Sequence, residues 1–232
     1  MNIGNRSYEK FTRAPQDLID LFRGIPIANI ADNAGRIICA DQGIKPMSEA
    51  CQMLGPAFTV KVPAGDNLLV HKALDDLQPG DILVVDGNGC MERSLVGEIM
   101  CTYAYKRGCA GIVIDGVIRD AAGVRKLPIP VYARGIQANG PYKNGPGEIG
   151  VPVPIGGIVI YPGDIIVSDA DGLLAIRPHE AEDLAKKARA TFESETRLLE
   201  QMRETGNWNR TVFHEAIVRS GVQLIDEEYR YQ

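Results

Sequence analysis

The run Gly111-Ile112-Val113-Ile114-Asp115-Gly116-Val117-Ile118-Arg119-Asp120 constrains the chain more than any other segment. An apolar stretch of this length, bounded by glycine, reads as a fully buried strand or short core segment. It ends in a tight turn and delivers an Arg–Asp pair into a loop or helix start. Open α/β proteins place ligand-binding groups just past the carboxyl ends of such strands. Arg119 can fork onto a substrate carboxylate, and Asp120 can bind a hard cation. Two adjacent opposite charges largely neutralise each other unless each has a partner of its own.

The rest of the sequence bounds the class of protein. Its 232 residues are enough for one large domain, or a domain with sizeable terminal extensions, whose core needs no disulfides. A net charge of -5 and mixed charges without a Lys/Arg block argue against a nucleic-acid partner. Cys39, Cys51, Cys90, Cys101 and Cys109 show no Cys-x-x-Cys spacing and read as buried thiols of a reducing compartment. The polar segment Met1 to Lys10 has no signal-peptide pattern, and no stretch approaches the roughly 20 apolar residues of a membrane span. A cytoplasmic protein without a membrane partner is expected.

Strand and helix signals alternate along the chain. Helices are expected at Pro15 to Phe22, Asn67 to Asp76, Ser94 to Arg107 and Arg119 to Leu127. Strands are expected at Ala57 to Val62, Ile82 to Asp86, Ala110 to Asp115 and Pro130 to Ala133, with Gly87 to Cys90 as a loop. Residues 135–157 are rich in Gly, Pro, Asn and Lys and read as one long loop, a substrate lid or an oligomer contact. Three close-set strands follow, at Ile158 to Tyr161, Ile165 to Ser168 and Gly172 to Ile176. A charge-rich helix from Pro178 to Arg203 leads to a tail. The segments Pro79-Gly80-Asp81 and Pro162-Gly163-Asp164 echo each other, each ahead of an apolar strand. They read as repeated turns in a β-rich sandwich with helical cover, and their aspartates as turn caps. The expected organisation is an N-terminal helical extension (1–24), an α/β core (25–177), and a C-terminal helix and tail (178–232).

Standard catalytic motifs are missing. Gly87-Asn88-Gly89 lacks the third glycine of a dinucleotide fingerprint, and there is no phosphate loop, nucleophile elbow or His-Glu-x-x-His. Three widely spaced histidines, His71, His179 and His214, make a tetrahedral zinc site a poor fit. A hard cation, Mg²⁺ or Mn²⁺, held by one or two carboxylates and water suits Asp120 better. The structural readings of the same residues are a helix N-cap for Asp120 and a surface ion pair for Arg119. Upstream, Gly97 is placed early in a helix, where it costs roughly 1 kcal/mol relative to Ala. Close approach of an anion to exposed amides would offset that cost. Glu98 beside it could face the same cation through a water.

Glu98, twenty intervening residues (99–118) and Arg119-Asp120 form an acidic-x20-Arg-Asp pattern. Together with Gly97-Glu98-Ile99, Asp66-Asn67, both Pro-Gly-Asp turns and Pro130 to Gly135, it resembles a known family over roughly residues 25–190. That family contains the regulator of ribonuclease activity A (RraA-like proteins) and the class II pyruvate aldolases, which cleave 4-hydroxy-4-methyl-2-oxoglutarate and 4-carboxy-4-hydroxy-2-oxoadipate. The resemblance implies an α/β, three-layer β/β/α swivelling-domain-like sandwich and a homotrimer, or stacked hexamer, with sites at subunit boundaries. It also implies that Arg119 binds the pyruvate carboxylate or ketone oxygen. Asp120 would be the direct metal ligand, Glu98 would act through water, and amides near Gly97, Ile99 and Met100 would grip the carboxylate. A retro-aldol cleavage that leaves a pyruvate enolate needs such cations.

The sequence departs from the aldolases at one place. Their pattern continues Arg-Asp-x-x-Glu/Asp, but Gly123 stands where the acid belongs. Glu215 from a neighbouring tail is a candidate replacement. The expected function is a divalent-metal-dependent lyase acting on a small 2-oxo acid, by retro-aldol cleavage or oxaloacetate decarboxylation. The alternative is a non-catalytic ribonuclease-regulator module. A methyltransferase role finds no glycine-rich nucleotide loop to support it.

Overall fold

The protein is described here by a computed structural model covering residues 2–229. It divides into two compact units, Met1–Ala190 and Thr191–Gln232. The first unit runs β1 (Asn5–Ser7), α1 (Gln16–Asp20), α2 (Ile27–Asp32), β2 (Lys45–Pro46), β3 (Met53–Lys61), α3 (Leu68–Asp76), β4 (Ile82–Val96), α4 (Glu98–Lys106) and β5 (Gly111–Ile118). It continues with α5 (Ala121–Val124), β6 (Val131–Ile136), β7 (Gly147–Ile149), β8 (Val153–Ile155), β9 (Ile158–Ile160), β10 (Ile165–Asp169) and β11 (Gly172–Ile176). The helix α6 (Ala181–Thr205) crosses into the second unit, which also holds α7 (Thr211–Arg219).

The strands β3, β4, β5 and β6 are parallel neighbours at the centre of a sheet whose order is β1-β7-β3-β4-β5-β6-β2. Strand alternation sorts their side chains onto two faces. Phe58, Val60, Leu83, Val85, Ile112, Ile114 and Val131 face one core, together with Val70, Ala73 and Leu74 of α3 and Cys101 and Ala104 of α4. Ala57, Ile82, Val84, Val113 and Tyr132 face a second core, built with Val153, Ile155 and Ile160 of the β8–β9 hairpin and with Ile166 and Leu173. The layers are therefore helix, sheet and strand, which is the expected α/β sandwich. The strand β3 links two of them, because its first half pairs with β10 and its second half with β4.

Every residue of β5 is buried, as the opening motif requires. Several expectations need correction. Residues 94–96 are strand rather than helix: Leu95 and Val96 are buried, and β4 stays paired with β5 through Val96↔Ile118. Gly87 to Cys90 is not a plain loop, because β4 continues through it with register shifts around Asn88 and Gly89, both at positive φ. The N-terminal segment is not simply helical: β1 adds a strand beside β7. Residues 135–157 contain β7 and β8 and so are not one loop. The Pro178 segment is a 3-10 turn (Pro178–Glu180), after which α6 buries Ala181, Ala185 and Ala188. The helix α7 buries none of its residues. No helix among the described residues is long and apolar enough to cross a membrane.

Candidate active site

The strands β4 and β5 run parallel and adjacent, so the residues that follow them emerge side by side. After Val96 comes Gly97-Glu98, and after Ile118 comes Arg119-Asp120. The Arg119 N–H donates to the Val96 carbonyl at 3.0 Å, and the Gln137 N–H donates to the Ile118 carbonyl at 2.9 Å. Residues far apart in sequence are thereby stitched together at the strand ends.

Gly97 is the N-cap of α4 (φ −141°, ψ −170°) and lies outside the helix interior. The expected helix penalty therefore does not apply; the space it leaves matters instead. A Cβ here would stand 2.3 Å from Asp120 Oδ2 and 3.1 Å from Arg119 Cγ. The Glu98 N–H donates to Asp120 Oδ2 at 3.2 Å. Asp120 does precede α5, but its side chain makes no capping bond to that helix. Asp120 is thus the N-cap of α5 by position without a side-chain cap, and α5 is four residues rather than a helix from Arg119 to Leu127. Asp120 sits in the left-handed region (φ 58°, ψ 39°), where a non-glycine residue is uncommon and strained. Arg119 Nε and Asp120 Oδ2 stand 3.9 Å apart as an open ion pair, with both side chains 46% exposed. So open a pair contributes little to stability and leaves both groups free to meet other partners.

The helix α4 adds donors. Its first-turn N–H groups have no carbonyl one turn back within the helix. Ile99 is exposed and Met100 half-buried at this end. An apolar groove of about 700 Å³, lined by Leu68, Leu69, His71, Ile99, Met100 and Tyr103 among others, begins there. Burial, aided by Lys143, holds the His71 imidazole below its ordinary pKa.

Residues outside the Glu98, Arg119 and Asp120 set hold the other wall. Arg93 Nη1 donates to the Gly140 carbonyl at 3.1 Å, and its guanidinium lies 4.1 Å from the centre of the Tyr142 ring. Buried Asp66 accepts N–H bonds from Leu68, Asn144 and Gly145, and Asn67 Nδ2 donates to the Leu95 carbonyl at 2.8 Å. The pair Asp66-Asn67 thus pins the 139–145 segment and the start of α3 to the strand that leads into Gly97. Their side-by-side occurrence was the available signal, but only the fold shows what they fasten.

The remaining candidates are structural. Asp81 accepts the Gln78 N–H at 2.8 Å and pairs with Arg13 at 2.6 Å. Asp164 accepts the Tyr161 N–H at 2.8 Å and pairs with Arg177. Both are the turn caps expected, each locked by an arginine. Asp115 accepts from Arg134 at 2.5 Å and from the Gly156 N–H at 2.8 Å, a clamp inside the sheet. The cysteines are all free, but Cys39 is exposed, contrary to expectation. Burial raises Cys101 to about 12 and Cys109 to about 11, so both stay thiols. Glu215 lies exposed on α7, 3.9 Å from Arg219.

Chemically, the two strand ends bring together the residues Glu98, Arg119 and Asp120 and the N-terminus of α4. No group of three or more His, Cys, Asp or Glu side chains among the described residues is placed to hold a metal by itself. Two hard oxygen donors are what a hydrated, substrate-bridged cation uses, whereas a closed structural site takes four protein ligands.

Residues 27–175 match the sequence profile of the RraA-like family, described as Aldolase/RraA. A protein of Halalkalibacterium halodurans, provisionally named 4-hydroxy-4-methyl-2-oxoglutarate aldolase, is 40% identical over 178 residues, covering 77% of this chain and 85% of that one. Streptomyces coelicolor RraAS2, of the RNase ES inhibitor RraA family, superposes with a TM-score of 0.71 at 28% identity, over 82% of this chain and 100% of its own. The RNA-processing inhibitor RraA from Thermus thermophilis superposes with a TM-score of 0.60 at 30% identity, over 64% of this chain and 90% of its own. The profile match over residues 27–175 and the 40% identical relative show that the chain belongs to the RraA-like, Aldolase/RraA family.

Proposed function

We propose that this protein is a divalent-metal-dependent lyase that releases pyruvate from a 4-hydroxy-2-oxo acid by retro-aldol cleavage, and that the same site decarboxylates oxaloacetate. The observation that carries this reading is the meeting of Glu98 with Arg119-Asp120 at the ends of two adjacent parallel strands. The donor set fits Mg²⁺ or Mn²⁺, with Asp120 as the direct ligand and Glu98 acting through water. When bound, the cation supplies Lewis-acid stabilisation for the negative charge that develops on the pyruvate half.

The chain's own groups do the rest. The Arg119 guanidinium can bind the substrate carboxylate or ketone oxygen with two N–H groups. The amides near Gly97, Ile99 and Met100, at the positive end of α4, suit the same carboxylate. Cleavage gives the 4-hydroxyl proton to solvent water, breaks the C3–C4 bond and leaves C4 as the carbonyl of the second product. The bonding pair stays on C3, and reprotonation there gives pyruvate. Oxaloacetate loses CO₂ to the same enolate, so one arrangement serves both reactions. With Arg119 and Asp120 each half-exposed, the site suits completion by a second copy, and a homotrimer or hexamer is part of the proposal.

The test is pyruvate release from oxaloacetate and from a panel of 4-hydroxy-2-oxo diacids, with Mg²⁺ and then with chelator. Activity should vanish on chelation, and Arg119→Ala and Asp120→Ala should each remove at least 99% of it, the loss associated with a missing electrostatic donor. The likeness to two ribonuclease-inhibitor structures favours a second reading, a non-catalytic binding module. Absence of pyruvate with the whole panel would put that reading first.

A further inference from the structure

Three glycines of the site have ordinary φ values, so backbone conformation does not require them. Each instead lies against a charged side chain. Gly97 meets Asp120 as described, and a Cβ at Gly140 would stand 3.1 Å from Arg119 Nη1. Gly123 is the tightest: a Cβ there would stand 1.9 Å from Glu98 Oε2, 2.2 Å from its Cδ and 2.7 Å from its Oε1. The Glu98 carboxylate therefore lies on the bare backbone of α5. Gly97-Glu98 and Asp120-to-Gly123 interlock, each segment lending a glycine as the seat for the other's carboxylate.

We infer that Gly123 is a positioning residue: it makes room for Glu98, whose carboxylate takes the place an acidic side chain at 123 would need. Gly123 is thus the seat on which the Glu98 carboxylate rests. The site works with two carboxylates, and the position of one is set by a residue with no side chain. Any larger residue at 123 displaces Glu98, because a flexible carboxylate yields before a helix backbone does. The inference rests on the metal-dependent reading above.

Titration of Mn²⁺ alone, followed by electron paramagnetic resonance without substrate, tests it on wild type, Gly123→Ala, Glu98→Gln and the double variant. Thermal melts run alongside show that each variant is folded. Alanine suits a helix better than glycine, so Gly123→Ala should melt no lower than wild type. It should nevertheless bind Mn²⁺ about tenfold more weakly, the effect usual for loss of a residue that orients a metal site. Glu98→Gln should show a similar loss, and the double variant should be no weaker than Glu98→Gln alone, since the two changes remove one group. Wild-type affinity in Gly123→Ala, or losses that multiply in the double variant, would overturn the role given to Gly123. Failure of wild type itself to bind Mn²⁺ would refute the metal reading, and this role with it, and is distinguishable from either result.

Discussion

Asp120 combines an uncommon backbone conformation with the side chain on which the proposed chemistry depends, and substitutions there should separate stability from activity. At φ 58° and ψ 39° the residue occupies the left-handed region. An ordinary L-residue there costs roughly 1–2 kcal/mol, aspartate and asparagine somewhat less because their side chains bond locally. The one hydrogen bond its carboxylate makes with the chain is from the Glu98 N–H at 3.2 Å, in a half-exposed setting. That bond contributes no more than about 1 kcal/mol. Asp120→Asn keeps both the conformational preference and an acceptor oxygen, so stability should stay within about 0.5 kcal/mol of wild type. Asp120→Ala loses the bond and keeps the full strain. Asp120→Gly loses the bond and sheds the strain, so it should be about 1 kcal/mol more stable than the alanine variant. For a protein of this size the difference is roughly 2–4 °C in Tm. All three should lose at least 99% of pyruvate release, because none retains a charged oxygen donor for the cation. Thermal melts and a coupled pyruvate assay on the same preparations read both quantities. Equal Tm values for the glycine and alanine variants would show that the turn stores no strain. Substantial turnover by Asp120→Asn would remove the carboxylate from the chemistry.

Two further outcomes follow from the structure. Asp86 is buried at the end of β4's regular pairing with β3. Burial pushes its carboxyl above the ordinary value of 3.8, with Asp115 adding to the shift and the Asn88 N–H and Lys61 opposing it. The folded state therefore holds this proton more tightly than the unfolded chain, and stability falls as pH rises from about 3.8 through the raised value. Asp86→Asn should raise Tm at pH 7, about 2–4 °C for each kcal/mol recovered, and the gain should vanish as pH falls toward 4; a gain that does not shrink on acidification would contradict the assignment. Glu215→Gln should leave pyruvate release unchanged, because Glu215 is exposed and pairs with Arg219 on its own helix; a tenfold loss would instead show that a tail residue completes the site.

The sequence by itself determined a buried strand at Ala110 to Asp115, which the structure runs as Gly111–Ile118, the Pro-Gly-Asp turns with their capping aspartates, and the charges Arg119-Asp120 at a strand end, while the pairing with Glu98 came from the family resemblance. These are local signals: an unbroken apolar run, a turn with a fixed chemistry, and charges at the end of a strand. Where local propensity met tertiary pairing, the sequence misled. Ser94 to Val96 looked like the start of a helix, yet continued pairing with β5 holds them in β4. The 135–157 segment looked like loop because its composition is that of turns, yet parts of it complete the sheet and its second layer.

Only the tertiary structure decided how the charges of the site are held. Adjacent parallel strands place residues 97–98 beside residues 119–120. Asp120 takes a left-handed turn and holds an open ion pair with Arg119 at 3.9 Å. The fit of Glu98 against Gly123 turns an apparent gap in the motif into a seat. A missing side chain has no pattern in sequence. Its meaning lies in which neighbour occupies the space, and that is set by packing across segments the chain order keeps apart.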